Sequence, residues 1–516
     1  MHVHFIGICG VGMSGIAVAF KKAGWKVTGS DVGFFPPVST RLKSAGVAFY
    51  PGWHPERMDS PDLVVVGNVA GSQNPEWLAA QEKKLRYKSY PEVLAEYFVK
   101  QNSIVCAGTC GKTTIAALLS WILTQANFAP SYMFGGLAIS GFESASMGSL
   151  APQPPAGDYG ASGKKEGWSV IEGDEYKSAR WDARPKFSHY SPTHLLLASI
   201  SWDHADIYPT AESYFDAFEN LIASIPKHGL IVACADDEKV LSVIASAAKQ
   251  SPTNNTYGIA SAANGLAMTI TYGKAERCDY QYGKISQSGS GIKFELRHGK
   301  KIYKVSSPML GEFMAQNLCG VFALASAIGI APEKILSAIK TFDGLKRRLE
   351  KRGQASGADV YDDIAHSPAK AKSTLATLRQ IYKGKIYAVF EPNTGGRSAA
   401  SAPSYAHAFA NANEVIVPAL TKLKLPPLHY HTKNFGVVVN LPLIKGETTN
   451  ELMNGAKLAK IISKTHNNAK FMPDDDALVA YLKKTAQKED TIVFLGSRGF
   501  RGMIDRLISP RQPPQQ

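Results

Sequence analysis

The most constraining feature of this 516-residue chain is the run Gly108-Thr109-Cys110-Gly111-Lys112-Thr113-Thr114, which follows the apolar SIVCAG and opens the helical AALLSWILTQA. A strand, a glycine loop and a helix in that order place backbone N–H groups and a helix N-terminus where a phosphate can sit. Glycine lets the backbone approach, Lys112 can neutralise β/γ oxygens, and the Thr113 hydroxyl can ligate Mg²⁺. The full G-x-x-x-x-G-K-[ST] template is not met, because Cys106 stands at its first glycine. A glycine turn carrying a surface lysine is the competing reading.

Such a unit belongs in a parallel sheet covered by helices, and the alternation recurs along the chain. HVHFIG (2–7), a helical 16–23, the strand WKVTGSD, LVVVGN (63–68) and helical stretches at 76–86 and 91–99 predict a first α/β domain over 1–100. The second starts at SIVCAG and includes WSVIEGDE, the strand LLLASIS (195–201) and antiparallel strands across 268–306. Its Pro-, Gly- and Ser-rich stretch 150–167 reads as an insertion in a loop. The pattern restarts near GLKRRLE with ADVYDDIAHSP, a helix at 369–382, KIYAVFEP and TIVFLGSRGF, and ends in a frayed SPRQPPQQ. Single cores stop growing near ~250–300 residues, so the prediction is three domains: 1–100, 101–343 and 344–516.

Bulk properties narrow the class. Hydrophobic content of 45% and charged content of 19% suit a globular protein. The net charge of +14 is spread without a basic block, which favours a solvated surface over a nucleic-acid footprint. Cys9, Cys106, Cys110, Cys234, Cys278 and Cys319 form no CxxC pair and no zinc spacing, so they read as reduced thiols of a cytoplasmic protein. No run approaches ~18 apolar residues and the N-terminus lacks a leader pattern, so no membrane association is expected.

A second glycine turn, Gly10-Val11-Gly12-Met13-Ser14-Gly15, lies between strand and helix, and Asp31 ends the next strand. It can hold the pyrophosphate of a nucleotide-sugar, hold the dinucleotide of an NAD-dependent dehydrogenase, or pack a helix closely on a strand. WSVIEGDEY ends in Glu172, Asp174 and Glu175, and another strand ends in Asp203-His204-Ala205-Asp206. Both lie where open α/β sheets gather their active sites. Mg²⁺ takes carboxylate oxygens together with phosphate and water, which makes Glu175 and His204 candidate metal ligands. Solvation for the Glu and a core role for the His are the competing readings.

GTCGKTT, EGDEY and DHAD in this order, downstream of GICGVGMSG, resemble the Mur ligases over nearly the whole chain. The resemblance implies a three-domain α/β architecture: an N-terminal Rossmann-like UDP-binding domain, a central P-loop ATPase-like domain and a C-terminal Rossmann-like domain. It implies an ATP- and Mg²⁺-dependent, amide-forming ligase that activates a carboxylate as an acyl-phosphate. VGNVAGSQNP, EYKSARWDARPKFSHYSP, DHADIY, GLKRRLEKRG, VYDDIAHSP and SRGF resemble most the members that join UDP-N-acetylmuramate to L-alanyl-γ-D-glutamyl-meso-diaminopimelate in peptidoglycan recycling. L-alanine as the amine, and a non-catalytic nucleotide-binding regulator, are the alternatives.

By that resemblance Gly10, Gly12, Met13, Ser14, Gly15, Asp31 and Asn68 hold the UDP-sugar. Gly108, Thr109, Gly111, Lys112, Thr113 and Thr114 hold the ATP phosphates, with Asn317, Arg348 and Asp363 elsewhere on the nucleotide. Lys112, Glu175 and His204 are catalytic; Thr113 and Glu175 bind one Mg²⁺, and Glu175 and His204 a second. His366 and Arg397 face the substrates. The family's third domain closes over its site, so the boundaries near 100 and 344 are expected hinges, in a monomer or weak homodimer. The chain departs from the family pattern at Cys110, Ser199, Phe313, Met314 and Ser367, where His, Asn, His, Asn and His are usual.

Overall fold

The computed structural model describes residues 1–148, 167–204, 207–250, 267–393, 395–421 and 452–509. The expected loop insertion, apart from Gly167, and all but the first residue of the expected frayed tail lie outside them. Residues 1–286 and 290–345 form one compact unit, and 287–289 with Lys346 onward form another.

The first unit opens with a five-stranded sheet made of β1 (His2–Ile6), β2 (Lys26–Asp31), β3 (Ala48–Pro51), β4 (Leu63–Val66) and β5 (Tyr87–Ser89). Its order is β3-β2-β1-β4-β5, with every pair parallel. β1 and β4 are buried at every position, as strands covered on both faces must be, which is why they read as apolar runs. The order reverses at β1, so the turn after Ile6 lies at the switch point where such sheets bind ligands. The following helix runs Val11–Lys22, starting earlier than its apolar spacing predicts because Gly10 caps it in extended conformation. The helix expected at 91–99 is one α-turn, Tyr90–Val93, entered through a Ser89/Glu92 capping box and continued as a π-turn over Leu94–Phe98.

The second sheet contains β6 (Asn102–Ala107), β7 (Ser131–Met133), β8 (Ala145–Ser146), β9 (Trp168–Glu172), β10 (His194–Leu197), β11 (Leu230–Cys234), β12 (Met268–Gly273), β13 (Tyr280–Ser288), β14 (Gly291–His298) and β15 (Lys301–Ser307). Its order is β15-β14-β13-β12-β11-β10-β6-β9-β7-β8. β6 lies between β9 and β10, parallel to both, so segments leaving the carboxyl ends of three neighbouring strands meet. The strand predicted at 195–201 stops at Leu197. Antiparallel pairing holds for β14 with β15, whereas β12 and β13 pair parallel over Tyr272↔Tyr280 and Gly273↔Gln281. Just before that pairing, the Asp279 carboxylate accepts the Thr271 N–H at 2.7 Å and its hydroxyl at 2.8 Å. The apolar core of this unit runs unbroken from Val3 and Phe5 to Val105 and Leu195.

The second unit carries β16 (Glu350–Ala355), β17 (Ala358–Asp363), β18 (Ile386–Glu391), β19 (Glu414–Pro418), β20 (Ala469–Met472) and β21 (Thr491–Gly496), ordered β16-β17-β21-β18-β19-β20. Among the described residues, only β16, an edge strand, runs antiparallel.

One polar group sits deep in the first sheet. Glu76 is wholly buried; its Oε1 accepts the Tyr50 hydroxyl at 2.9 Å and the His54 N–H at 2.8 Å, and its Oε2 accepts the Ser30 hydroxyl and faces His4 Nε2 at 3.5 Å. Burial alone would raise this carboxyl, but the bonds from His4, Ser30 and His54 outweigh it and hold the group below its usual 4.5. A depressed pKa contributes stability that is complete above 4.5 and is lost as pH falls through the folded value. Glu76→Gln is therefore expected to cost ~1–3 kcal/mol in urea unfolding at neutral pH. The gap between wild type and variant should shrink below pH ~4; a pH-independent gap would contradict the assignment.

Candidate functional site

Two glycines shape the loop after β6. Gly108 has φ +129° and Gly111 φ +87°, both left-handed conformations that side chains resist. Neither has room for one. A Cβ on Gly108 would lie 2.8 Å from the Ser199 carbonyl oxygen, and one on Gly111 2.8 Å from Asn317 Oδ1. The loop is thereby clamped between residues 198–201 and Asn317, on the helix Glu312–Ala327. Thr109 fastens the first side: its N–H donates to Ser199 O at 2.5 Å, and its hydroxyl donates to Ser201 O and accepts the Ser201 N–H, both at 2.8 Å. Lys112, Thr113 and Thr114 then form the first turn of the helix Lys112–Gln125.

Glu175, only 1% exposed, faces this turn. Lys112 Nζ lies 2.8 Å from its Oε2 and 3.0 Å from its Oε1, and His204 Nε2 lies 3.6 Å from Oε1. Tyr214 donates its hydroxyl to Oε1 at 3.4 Å, and Tyr208 donates to the Glu175 carbonyl at 2.6 Å. Burial pulls the Lys112 ammonium down, but Glu175 more than reverses it and holds the group above its ordinary value. The nearby Glu175 carboxylate likewise raises His204. His204 adopts φ +57°, an uncommon conformation for a non-glycine residue of the kind that collects at functional sites. Beside this centre, Asp174 pairs with Lys186, and Glu172 accepts the Thr113 hydroxyl at 2.8 Å.

The oxygen donors here suit Mg²⁺. Glu175 Oε2 is buried and has no hydrogen-bond partner among the described residues, although Lys112 stands close enough to neutralise it. A hydroxyl and a carboxylate are hard ligands, and Mg²⁺ takes the remainder of its shell from phosphate and water. Thr113, Glu175 and His204 are the groups that would hold it.

The N-terminal glycine turn has a different character. A Cβ on Gly12 would lie 2.8 Å from Tyr90 Oη and 3.0 Å from its Cζ, and one on Gly15 2.7 Å from Ser144 Oγ, so close packing of this helix by itself favours both glycines. Met13 and Ser14 are buried, and the Ser14 hydroxyl donates to Val11 O. Asp31 accepts the N–H groups of Cys9 at 2.8 Å and Val32 at 2.7 Å, holding the turn against the end of β2. Asn68 is exposed and donates to Lys177 O at 3.4 Å, while Arg180 Nε donates to Ala70 O at 2.7 Å. The segment after Glu175 thus touches the loop after β4.

Arg348, Asp363, His366 and Arg397 belong to the second unit. Asp363 accepts the N–H groups of Leu349 and Ala365, each at 2.8 Å, and burial pushes its carboxyl up to about 6. Arg348 is exposed; His366 Nδ1 lies 2.7 Å from Ile364 O. Arg397 is buried, paired with Glu391 at 3.2 Å and donating to Thr421 O at 2.8 Å. Sequence reasoning gave no role to Tyr208 and Tyr214, or to Arg347, which donates to the carbonyls of Gly496, Ser497 and Arg498. Tyr208, inside DHADIY, and Arg347, inside GLKRRLEKRG, lay in segments that the sequence singled out, whereas Tyr214 lay in none.

A phosphate loop closed on a buried carboxylate and a histidine, in three α/β sheets, defines a nucleotide-dependent phosphoryl- or acyl-transferring class. Three family models match in sequence order: the Mur ligase catalytic domain over residues 2–101, the Mur ligase middle domain over 106–325, and the Mur ligase glutamate ligase domain over 347–498. The chain belongs to the Mur ligase family, whose members are ATP-dependent ligases that form amide bonds. It is 30% identical over 515 residues, 98% of each chain, to the UDP-N-acetylmuramate–L-alanyl-γ-D-glutamyl-meso-2,6-diaminoheptandioate ligase of Escherichia coli (strain K12). It is 28% identical, over 98% of this chain and 93% of the relative, to the UDP-N-acetylmuramate–L-alanine ligase of Rhodospirillum centenum. Among solved structures, a murein peptide ligase from Psychrobacter arcticus matches with TM-score 0.64 and 25% identity over 98% of both chains.

The clamp on Gly111 can be measured. Gly111→Ala forces a left-handed alanine, ~1–2 kcal/mol, and pushes on Asn317. In the Asn317→Ala background the steric part of the cost should disappear and only the conformational part remain, so the two substitutions should be non-additive in denaturant unfolding. Additive losses would show that the two residues do not touch.

Proposed function

We propose that this chain joins the carboxylate of UDP-N-acetylmuramate to the free amine of L-alanyl-γ-D-glutamyl-meso-diaminopimelate, using ATP and Mg²⁺, in the reading suited to peptidoglycan recycling. The observation that carries it is the Lys112–Glu175–His204 constellation on a clamped phosphate loop, in a chain similar over 98% of its length to a ligase named for that tripeptide. The muramate carboxylate attacks the γ-phosphorus in line as the bond to the β,γ-bridging oxygen breaks and ADP becomes the leaving group, giving the acyl-phosphate, and Lys112 with the helix N-terminus stabilises the charge on the transferring phosphoryl. Mg²⁺, when bound, adds charge neutralisation on the phosphate oxygens. The amine then attacks the acyl-phosphate carbonyl, and inorganic phosphate leaves.

Gly10, Gly12, Met13, Ser14, Gly15, Asp31 and Asn68 form the UDP-sugar side of this reading. Gly108, Thr109, Gly111, Lys112, Thr113 and Thr114 hold the ATP phosphates, Asn317, Arg348 and Asp363 serve the nucleotide, and His366 and Arg397 serve the substrates. The domains correspond to 1–100, 101–343 and 344–516. No helix among the described residues is long and apolar enough to cross a membrane. The cytoplasm, where ATP and UDP-sugars are found, is the proposed location, and a monomer or weak homodimer the proposed state.

L-alanine as the amine is the second reading, favoured by the similarity to the Rhodospirillum centenum ligase. Phosphate release from ATP and Mg²⁺ with UDP-N-acetylmuramate separates the two, with product mass confirmed. Tripeptide-dependent release is expected, and release with L-alanine alone would move the assignment. Lys112→Ala should lower turnover by at least ~10²–10³-fold, the scale of losing one preorganised electrostatic donor; retained turnover would defeat the ligase chemistry.

A further inference from the structure

Leu345, the last residue of the first unit, is only 2% exposed. Gly344 turns the chain into it with φ +96°, and its carbonyl accepts the Ile139 N–H at 3.1 Å. Leu345 itself forms an antiparallel bridge with Ala138. Its side chain is seated on Gly136, where a Cβ would lie 3.2 Å from Leu345 Cδ1 and 3.0 Å from Thr113 Cγ2. The chain therefore leaves the first unit from a fixed point, one glycine away from the helix that carries Lys112 and Thr113.

Two residues later the chain is fixed again. Arg347 donates its N–H to the Glu350 carboxylate at 2.8 Å, and its carbonyl accepts the Ile364 N–H at 2.9 Å. Its guanidinium donates to the carbonyls of Gly496, Ser497 and Arg498, at the end of β21. Between the two sets of anchors stands Lys346, exposed and with no side-chain hydrogen bond or ion pair among the described residues.

We propose that Leu345 and Arg347 are positioning residues that reduce the free link at this crossing to Lys346, and that the shortness of the link is what delivers Arg348 to the nucleotide. The proposal rests on the ligase reading above, in which Arg348 serves the ATP held by the phosphate loop. Three residues of chain span at most ~11 Å, which bounds how far Arg348 can lie from Leu345. A group tethered this closely is supplied at a high effective concentration, which falls as its tether lengthens. Rotation about the backbone of Lys346 still lets the second unit turn, because hinges need only a few residues that absorb φ/ψ changes. The link thus restricts distance and leaves orientation adjustable.

The test inserts two glycines between Leu345 and Lys346 in the full-length protein, leaving both sets of anchors in place. Phosphate release with ATP, Mg²⁺, UDP-N-acetylmuramate and whichever amine supports turnover gives kcat, and calorimetry gives the affinity for UDP-N-acetylmuramate, whose proposed site lies in the first unit. The insertion is expected to lower kcat by ~10–100-fold, the scale on which small misplacements of reacting groups act, with UDP-sugar affinity unchanged. The same two glycines placed at Gly299, in the exposed turn between β14 and β15, should change neither quantity. R347K keeps the charge but loses the planar fork that serves several carbonyls, so it should also lower kcat, and by less in the lengthened protein than in the wild type. A lengthened protein with wild-type kcat, or an equal loss from the Gly299 insertion, would overturn the proposal while leaving the ligase reading intact. If the lengthened protein does not unfold cooperatively, R347K decides, since the proposal requires its kcat to fall. A wild type that releases no phosphate with either amine would defeat the ligase reading first, and the proposal with it.

Discussion

A carboxylate 1% exposed, Glu175, is the group around which the rest of the site is arranged. Burying a charge costs several kcal/mol unless a counter-charge and hydrogen bonds stand against it. Lys112 supplies the charge, and Tyr214 and His204 supply polar contacts. Because Lys112 opens the helix after the phosphate loop, and Glu175 lies three residues beyond β9, the pair ties the carboxyl ends of β6 and β9 to one geometry. The same pairing couples the ligands electrostatically. A phosphate that draws Lys112 to itself leaves Glu175 uncompensated, so a nucleotide arriving with a cation meets a lower electrostatic cost than one arriving alone.

The loop owes its shape to less than its motif suggests. Cys106, at the template's first glycine, is fully buried inside β6 and hydrogen-bonded in register with Glu172, so no turn is needed there. The chain leaves the strand only after Ala107, and its unusual dihedrals fall on Gly108 and Gly111. Ser199, where the family has Asn, acts through its backbone, receiving the Thr109 N–H and forming a bridge with Cys110. A change of side chain at that position leaves those backbone contacts in place.

Legibility in the sequence followed burial and chain proximity. β1, β4 and β6 were readable because strands covered on both faces must be continuously apolar. Lys112, Glu175 and His204 were readable because each follows such a strand. The Glu76 network was invisible: His4, Ser30, Tyr50 and Glu76 are dispersed over more than seventy residues, and no period links them. The glycines of the N-terminal turn could be read as a phosphate site or as packing, and only the side chains opposite, Tyr90 and Ser144, reveal the packing demand. Arg397 illustrates the same limit, since sequence displays a charge but not the Glu391 carboxylate that neutralises it.

The remaining departures from the family pattern have local physical sense. Ser367 caps the helix Pro368–Ile381, accepting the Lys370 N–H at 3.4 Å, a task for which serine suits the backbone. Met314, where the pattern has a polar Asn, is 4% exposed in the apolar cluster with Leu318 and Phe322, so an amide there would need a buried partner. Phe313 is exposed on the neighbouring position, its ring lying where a Cβ on Gly311 would come within 2.3 Å. Asn317, one turn further along the same helix, keeps the polar side chain and lies against Gly111. The helix has therefore exchanged polar contacts at its first turn for packing while retaining the residue that braces the phosphate loop. In the proposed reading, loss of polar groups there bears on how the base is held, whereas Lys112, Thr113 and Glu175, which face the phosphates, are unchanged.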